Sequence, residues 1–296
     1  MKGQEPTFEE IIESRFPGLV AGIRATIQDS ERAYEGNGCR AESHLWEHTA
    51  HVASIVLQLA QAERLDPLLP SIAALFHDIG KFVGGVYRSD EIIEEEESAR
   101  IAEQMLREAG MKKTDIRRVV SGLRALYNEK AGGNKLAALI HDADFLAKFG
   151  AMGVASFFTK SVLRGRALRS SIIGYLSKEL TYAACLPMNM RTAAGKLAAV
   201  KKTADSVRFF RSLLTELRKS GLANLKIRKM TIPGPSGKKP LNIQLVASPV
   251  CPKCDRAWQM AWSTENGVKC TKLNVEWNCA KCGESVGTSF CLPEIA

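Results

Sequence analysis

The apolar pattern of this chain changes period once, and that change constrains the fold more than any other feature. From about Phe8 to Lys219, apolar residues recur at three- and four-residue steps, the spacing of helices that bury one face. The stretch from Glu97 to Gly110 is one such helix, closed by its glycine. Thr231 to Pro240 is dense in proline and glycine and reads as a loop or hairpin turn. From Leu241 the period becomes two: residues 242–248 and 271–277 alternate as strands do. The expected fold is mainly α, with an all-helical domain over residues 1–222 and a small β domain over residues 223–296. A chain of 296 residues can bury a core in one or two such domains.

No apolar run reaches the roughly 20 residues needed to span a membrane. The start is acidic and lacks the apolar core of a secretory signal, so the expected location is the cytoplasm. The net charge of +9 is uneven: from Lys219 onward, 11 Lys and Arg face 5 Asp and Glu. The basic excess therefore lies in the β domain.

All five histidines fall in three short segments, each with a carboxylate. The first is His44-Leu-Trp-Glu-His48-Thr-Ala-His51, the second Leu-Phe-His77-Asp78-Ile-Gly-Lys81, and the third Leu-Ile-His141-Asp142-Ala-Asp144-Phe-Leu. Each is embedded in a helical apolar pattern, as with Ala53, Val56, Leu57 and Ala60 after the first. His44, His48 and His51 share a helix face by their four- and three-residue spacing. Gly80 reads as a helix C-terminus, which would put His77 and Asp78 at an accessible helix end. Imidazole mixed with carboxylate suits a catalytic divalent metal with open positions. The acidic run from Asp90 to Glu97 reads differently, as a solvated helix start.

The order His48, then His77-Asp78 followed by Ile-Gly-Lys81, then Asp144 before Phe-Leu, resembles the H…HD…D signature of the HD-domain phosphohydrolase superfamily. The segments Glu97 to Gly110, Leu139 to Ala155 and Met188 to Leu217 are similar to successive parts of its YedJ/YpgQ-like bacterial branch. The resemblance spans roughly residues 25–220. It implies an all-α fold and one divalent metal (Mn, Fe, Co, Ni or Mg) held by His48, His77, Asp78 and Asp144. Asp144 matches the family's final Asp, and Asp142 becomes a supporting or backup group. Asp78, Lys81 and Asp142 are expected to serve catalysis; His51, Lys81 and Lys148 are weaker candidates for substrate contacts. A bound ion would polarise a phosphoryl oxygen and lower the pKa of water towards about 7. The chain departs from the branch at His51, where Arg is usual, and between Gly122 and Tyr127, which lack a histidine.

Cys251-Pro-Lys-Cys254 and Cys279-Ala-Lys-Cys282 are two CxxC knuckles separated by 24 residues. On short strands they are the sequence form of a zinc ribbon, in which four thiolates close a structural Zn site. Cys270 and Cys291 read as spectators of that site, and Cys39 and Cys185 as packed thiols. Lys226, Arg228, Lys229, Lys238 and Lys239 lie on the approach to the ribbon. Trp258, Trp262 and Trp277 either stack bases or form the ribbon's core.

The leading expectation is a metal-dependent phosphohydrolase acting on a nucleotide or related small phosphate compound, with the ribbon appended for recruitment, capping or homo-oligomerisation. Two alternatives stay open. One is a phosphodiesterase or nuclease that meets a nucleic-acid strand through the basic ribbon. The other is a catalytically degenerate nucleotide-binding protein.

Overall fold

The computed structural model describes residues 5–35, 43–85, 94–126, 133–234, 239–266 and 270–293. Cys39, Tyr127, Lys238 and the acidic residues before Glu94 lie outside the described residues. Among the described residues, eleven α-helices precede five strands. The helices are α1 (Phe8–Glu13), α2 (Leu19–Glu35), α3 (His44–Ala62), α4 (Leu68–Phe76), α5 (Glu94–Glu108), α6 (Lys113–Arg124), α7 (Lys135–Ala147), α8 (Gly150–Leu163), α9 (Leu168–Ser171), α10 (Ser177–Asn189) and α11 (Ala193–Lys219). The strands are β1 (Lys226–Ile232), β2 (Leu241–Ala247), β3 (Gln259–Asn266), β4 (Thr271–Asn278) and β5 (Ser285–Cys291). The mainly α fold with a small β part is thus observed. Among the described residues, no helix is long and apolar enough to cross a membrane.

The structure forms two compact units, residues 1–147 with 191–195 and residues 148–190 with 196–296. In the first, α4 is apolar around its whole circumference, and every residue but Leu68 is buried. A short helix of that kind can only be the centre of a bundle, and α3 and α7 pack against it. The N-terminus of α3 is fixed twice. Ser43 accepts a hydrogen bond from Trp46 N at 3.0 Å, and the buried Glu31 carboxylate takes the Ser43 hydroxyl and Leu45 N (3.2 Å). These caps satisfy donors that the first turn leaves open, and they fix where His48 points.

The second unit holds α8, α9, α10, most of α11 and all the strands. β1 and β2 form an antiparallel hairpin in which Lys226 faces Ala247 and Ile232 faces Leu241. The other three strands form an antiparallel sheet in the order β3-β4-β5. The edge of β2 away from β1 is covered by α10: Val246 N donates to Ser177 Oγ at 2.9 Å and Gln244 N to Thr181 Oγ1 at 3.0 Å. Leu241, Ile243 and Leu245 face a core shared with Leu273, Val275, Trp277 and Phe290 of the three-stranded sheet. Val246 joins another core with Phe210, Leu214 and Leu217 of α11.

The expected boundary at residue 222 therefore coincides with a change of element, not of packing. A small sheet cannot bury both faces of itself, and here the hairpin fills its second face with helix side chains. Cys270 and Cys291, read as spectators, are outside the zinc-type cluster but joined to each other in a disulfide. It ties the start of β4 to the end of β5, a pairing that spacing along the chain does not reveal. Cys185 is the packed thiol expected, with burial pushing it up to about 11.

Candidate metal centre

His48 lies one turn into α3, and His77 and Asp78 follow the last residue of α4. Asp144 lies on α7, the other helix packed beside α3. Ligand-type atoms of His48, His77 and Asp78 all lie within 4.8 Å of one another. His48 Nε2 is 3.7 Å from Asp78 Oδ2 and 3.2 Å from Asp144 Oδ1, so Asp144 joins through His48. His77 Nε2 is 3.6 Å from Asp78 Oδ1.

The two ring nitrogens of His77 have different surroundings. Nδ1 is 2.7 Å from the carbonyl of Ala74, one turn back, and can only donate to it. Nε2 then carries the lone pair. It is buried and has no hydrogen-bond partner among the described residues. A buried acceptor left open is costly in a finished core and expected in a metal ligand whose other nitrogen is held by a carbonyl. Burial lowers the pKa of His48, against the pull of Asp144 and Asp78, and so favours the neutral imidazole that a metal needs. Burial opposes ionisation of Asp78. His77, Lys81 and His48 together nonetheless hold its carboxyl well below the usual range. The donor set fits a divalent ion.

Lys81 Nζ is 2.7 Å from Asp78 Oδ2 and 3.5 Å from Glu94 Oε1. Burial works against its charge, but Asp78 and Glu94 raise its pKa overall. Glu94 is a residue the sequence reading passed over, because an acidic run at a helix start looks like solvated surface. Burial first, then the charge of Asp78, pushes its carboxyl up to about 8. The start of α5 also clamps the turn after α4: Ser98 Oγ donates to His77 O at 3.2 Å and accepts from Gly80 N at 3.0 Å. Gly80 ends no helix, since α4 stops at Phe76. A Cβ there would meet the Glu94 carbonyl at 2.6 Å and Ser98 N at 2.8 Å. The glycine serves close approach, not a left-handed turn.

The remaining predicted residues take other places. Asp142 is completely buried, and its carboxylate accepts from Arg191 N (2.9 Å), Thr192 N (2.8 Å) and Thr192 Oγ1 (2.8 Å). His141 Nδ1 lies 3.0 Å from Asp142 Oδ1. Those contacts engage both oxygens of Asp142 and staple residues 191–195 to the first unit. His51 is half-buried on α3 outside the ligand cluster. Lys148 belongs to the second unit, where burial pushes up the Glu179 carboxyl and Lys178, Lys148 and Lys160 pull against that.

Cys251, Cys254, Cys279 and Cys282 form a second cluster within 4.8 Å. Cys251 and Cys282 sulfurs are 3.5 Å apart, as are those of Cys254 and Cys279. Four sulfurs on one tetrahedral zinc would sit about 3.8 Å apart, given Zn–S bonds of about 2.3 Å. The knuckles match in backbone too. Asp255 N donates to Cys251 O, and Gly283 N to Cys279 O, both at 3.0 Å. Asp255 and Gly283 both have positive φ. Backbone N–H groups of Cys282 and Lys281 lower the Cys279 thiol to about 6, towards the thiolate that a metal binds.

Residues 45–147 match the family model of the HD domain. Over those residues the chain is similar to the HD domain, and His48, His77, Asp78 and Asp144 all fall within them. Comparison with curated proteins gives no match. Among solved structures, Bacillus subtilis YpgQ is similar at 20% identity and a TM-score of 0.50, over 67% of this chain and 95% of that one. The structure of YpgQ in complex with ADP aligns at 21% identity and a TM-score of 0.49, over 67% and 94%. An HD-superfamily hydrolase from Bacillus thuringiensis aligns at 22% identity and a TM-score of 0.47, over 68% and 98%. Likenesses at this level of identity concern fold alone.

Proposed function

We propose that the chain is a metal-dependent phosphohydrolase of nucleotides or related small phosphate compounds, with His48, His77, Asp78 and Asp144 as ligands. The observation that carries this reading is the buried Nε2 of His77, aimed by the Nδ1 contact with Ala74 O into a cluster of imidazole and carboxylate. A bound divalent ion supplies Lewis-acid polarisation of the phosphoryl group and a more acidic water. The chain's own residues do the rest. Lys81 orients Asp78 through its 2.7 Å contact and, with its side chain 24% exposed, adds positive charge where phosphoryl oxygens bind. Glu94 holds Lys81 from the other side. Asp142 supports the centre indirectly, by anchoring residues 191–195 beside α7.

In the same reading the four cysteines hold a structural zinc, because four sulfurs close the coordination shell. For the nuclease alternative the sheet offers one exposed aromatic, Trp262 on β3. Trp277 is buried, and Trp258 packs against that core and donates to Ser248 O at 3.1 Å. The sheet face opposite Leu273, Val275 and Trp277 carries Glu265 and Glu276 against Lys272. A panel of mononucleotides, oligonucleotides and a generic phosphoester, assayed with Mn²⁺, tests the reading. Release of phosphate from mononucleotides supports it. Cleavage of oligonucleotides alone, or binding without turnover, replaces it with one of the two alternatives.

A further inference from the structure

The second unit contains a cavity of about 450 Å³ between α10, α11 and β2. All its lining residues belong to that unit, and none is a metal-type ligand. Its size lies within the roughly 300–1,000 Å³ of small-molecule sites. The walls are small and apolar, with Ala184 on α10 and Ala204 and Val207 on α11. Such short side chains leave a slot between helices that larger residues would close.

Two features give the slot chemical direction. The first is Gln244 on β2, whose Oε1 is buried and accepts no hydrogen bond among the described residues. Its backbone is already satisfied: N donates to Thr181 Oγ1, and O accepts from the same hydroxyl at 3.4 Å. The unmet group is therefore the side-chain acceptor, which calls for an N–H or O–H donor. The second is a pair of arginines, Arg208 and Arg211, three apart on α11 and so on one face. Arg208 contacts Asp205 at 3.0 Å with its side chain 77% exposed, a surface pair that exchanges readily for another anion. Guanidinium pairs suit phosphate because their planar forks match two oxygens at once.

We propose that this cavity is a second ligand site, binding an organic phosphate whose anion meets Arg208 and Arg211 and whose other end donates a hydrogen bond to Gln244. The proposal does not depend on hydrolysis at the metal centre. It makes the second unit a sensor of phosphorylated compounds, not a mere support for the sheet.

Calorimetric titration of the full-length His77→Ala chain, purified with its cysteine-bound zinc retained and in buffer free of Mn²⁺ and Mg²⁺ so that no turnover contributes, tests it. The probes are adenosine monophosphate, adenosine and inorganic phosphate. One mole of adenosine monophosphate should bind per chain, with adenosine and phosphate each at least about tenfold weaker. Arg211→Glu and Gln244→Leu should each weaken that binding by about tenfold or more. Arg211 is an exposed residue, so its substitution leaves the fold intact even if Gln244→Leu does not. No binding of the nucleotide at millimolar concentration would overturn the proposal, as would binding indifferent to both substitutions. Inorganic phosphate binding as tightly as the nucleotide would also overturn it, because Gln244 would then have no part.

Discussion

At the residue scale, the two nitrogens of His77 separate structure from chemistry. Nδ1 belongs to the fold through Ala74 O, and Nε2 is left for a ligand. The sequence made the HD pair legible because its neighbours and its order along the chain are distinctive. Spacing alone could not divide the work between Asp142 and Asp144, and only the resemblance gave the ligand role to Asp144. Both lie on α7 two residues apart, and the tertiary partners Arg191 and Thr192 tell them apart. Glu94 was illegible for the same reason, since its partner Lys81 comes from another element. Two predictions belong here. Asp142→Ala should lower unfolding stability by about 3–5 kcal/mol, because it leaves buried donors open. Folded Asp142→Ala protein should still take up metal, measured by denaturant titration and elemental analysis; loss of metal with unchanged stability would make Asp142 a ligand. Glu94→Gln should leave metal content intact and raise KM more than it lowers kcat if Glu94 positions Lys81 for substrate. An unchanged KM would remove Glu94 from the site.

At the scale of elements, helices and strands were readable from period alone, because burial of one face imposes it. Their ends were less so. Gly80 looked like a helix terminator, yet α4 ends at Phe76 and the glycine instead admits the backbone of α5. Gly80→Ala should push α5 away and break the Ser98 clamp on His77 O and Gly80 N. The expected cost is about 1–3 kcal/mol of stability and at least about tenfold in metal affinity. Wild-type metal affinity in that variant would show that the clamp does not orient the ligands.

At the scale of the whole molecule, the boundary expected from the change of period lies inside the second packed unit. Val246 shares a core with Phe210, Leu214 and Leu217, and Leu241, Ile243 and Leu245 share one with the three-stranded sheet. Which side chains meet across such layers depends on the tertiary fold and leaves no local trace. A chain cut at Lys219 would expose Phe210, Leu214 and Leu217, and should aggregate or lose cooperative melting. A truncated chain that stays monomeric with the full-length melting temperature would contradict the shared core. Cys254→Ser should likewise release zinc and disorder the environment of Trp258 and Trp277, seen in near-ultraviolet circular dichroism, while most helical signal remains.

The central claim is that the cluster around His77 is a catalytic metal centre. Its most direct test is phosphate release from nucleotides by chelator-stripped protein, titrated with Mn²⁺, in the wild type and in His77→Ala. The wild type should regain activity with saturable Mn²⁺ dependence. The variant should stay about a thousandfold or more below it, since several kcal/mol of transition-state stabilisation goes with the ion. Equal activity in the variant, or wild-type turnover indifferent to Mn²⁺ and chelator, would contradict the account.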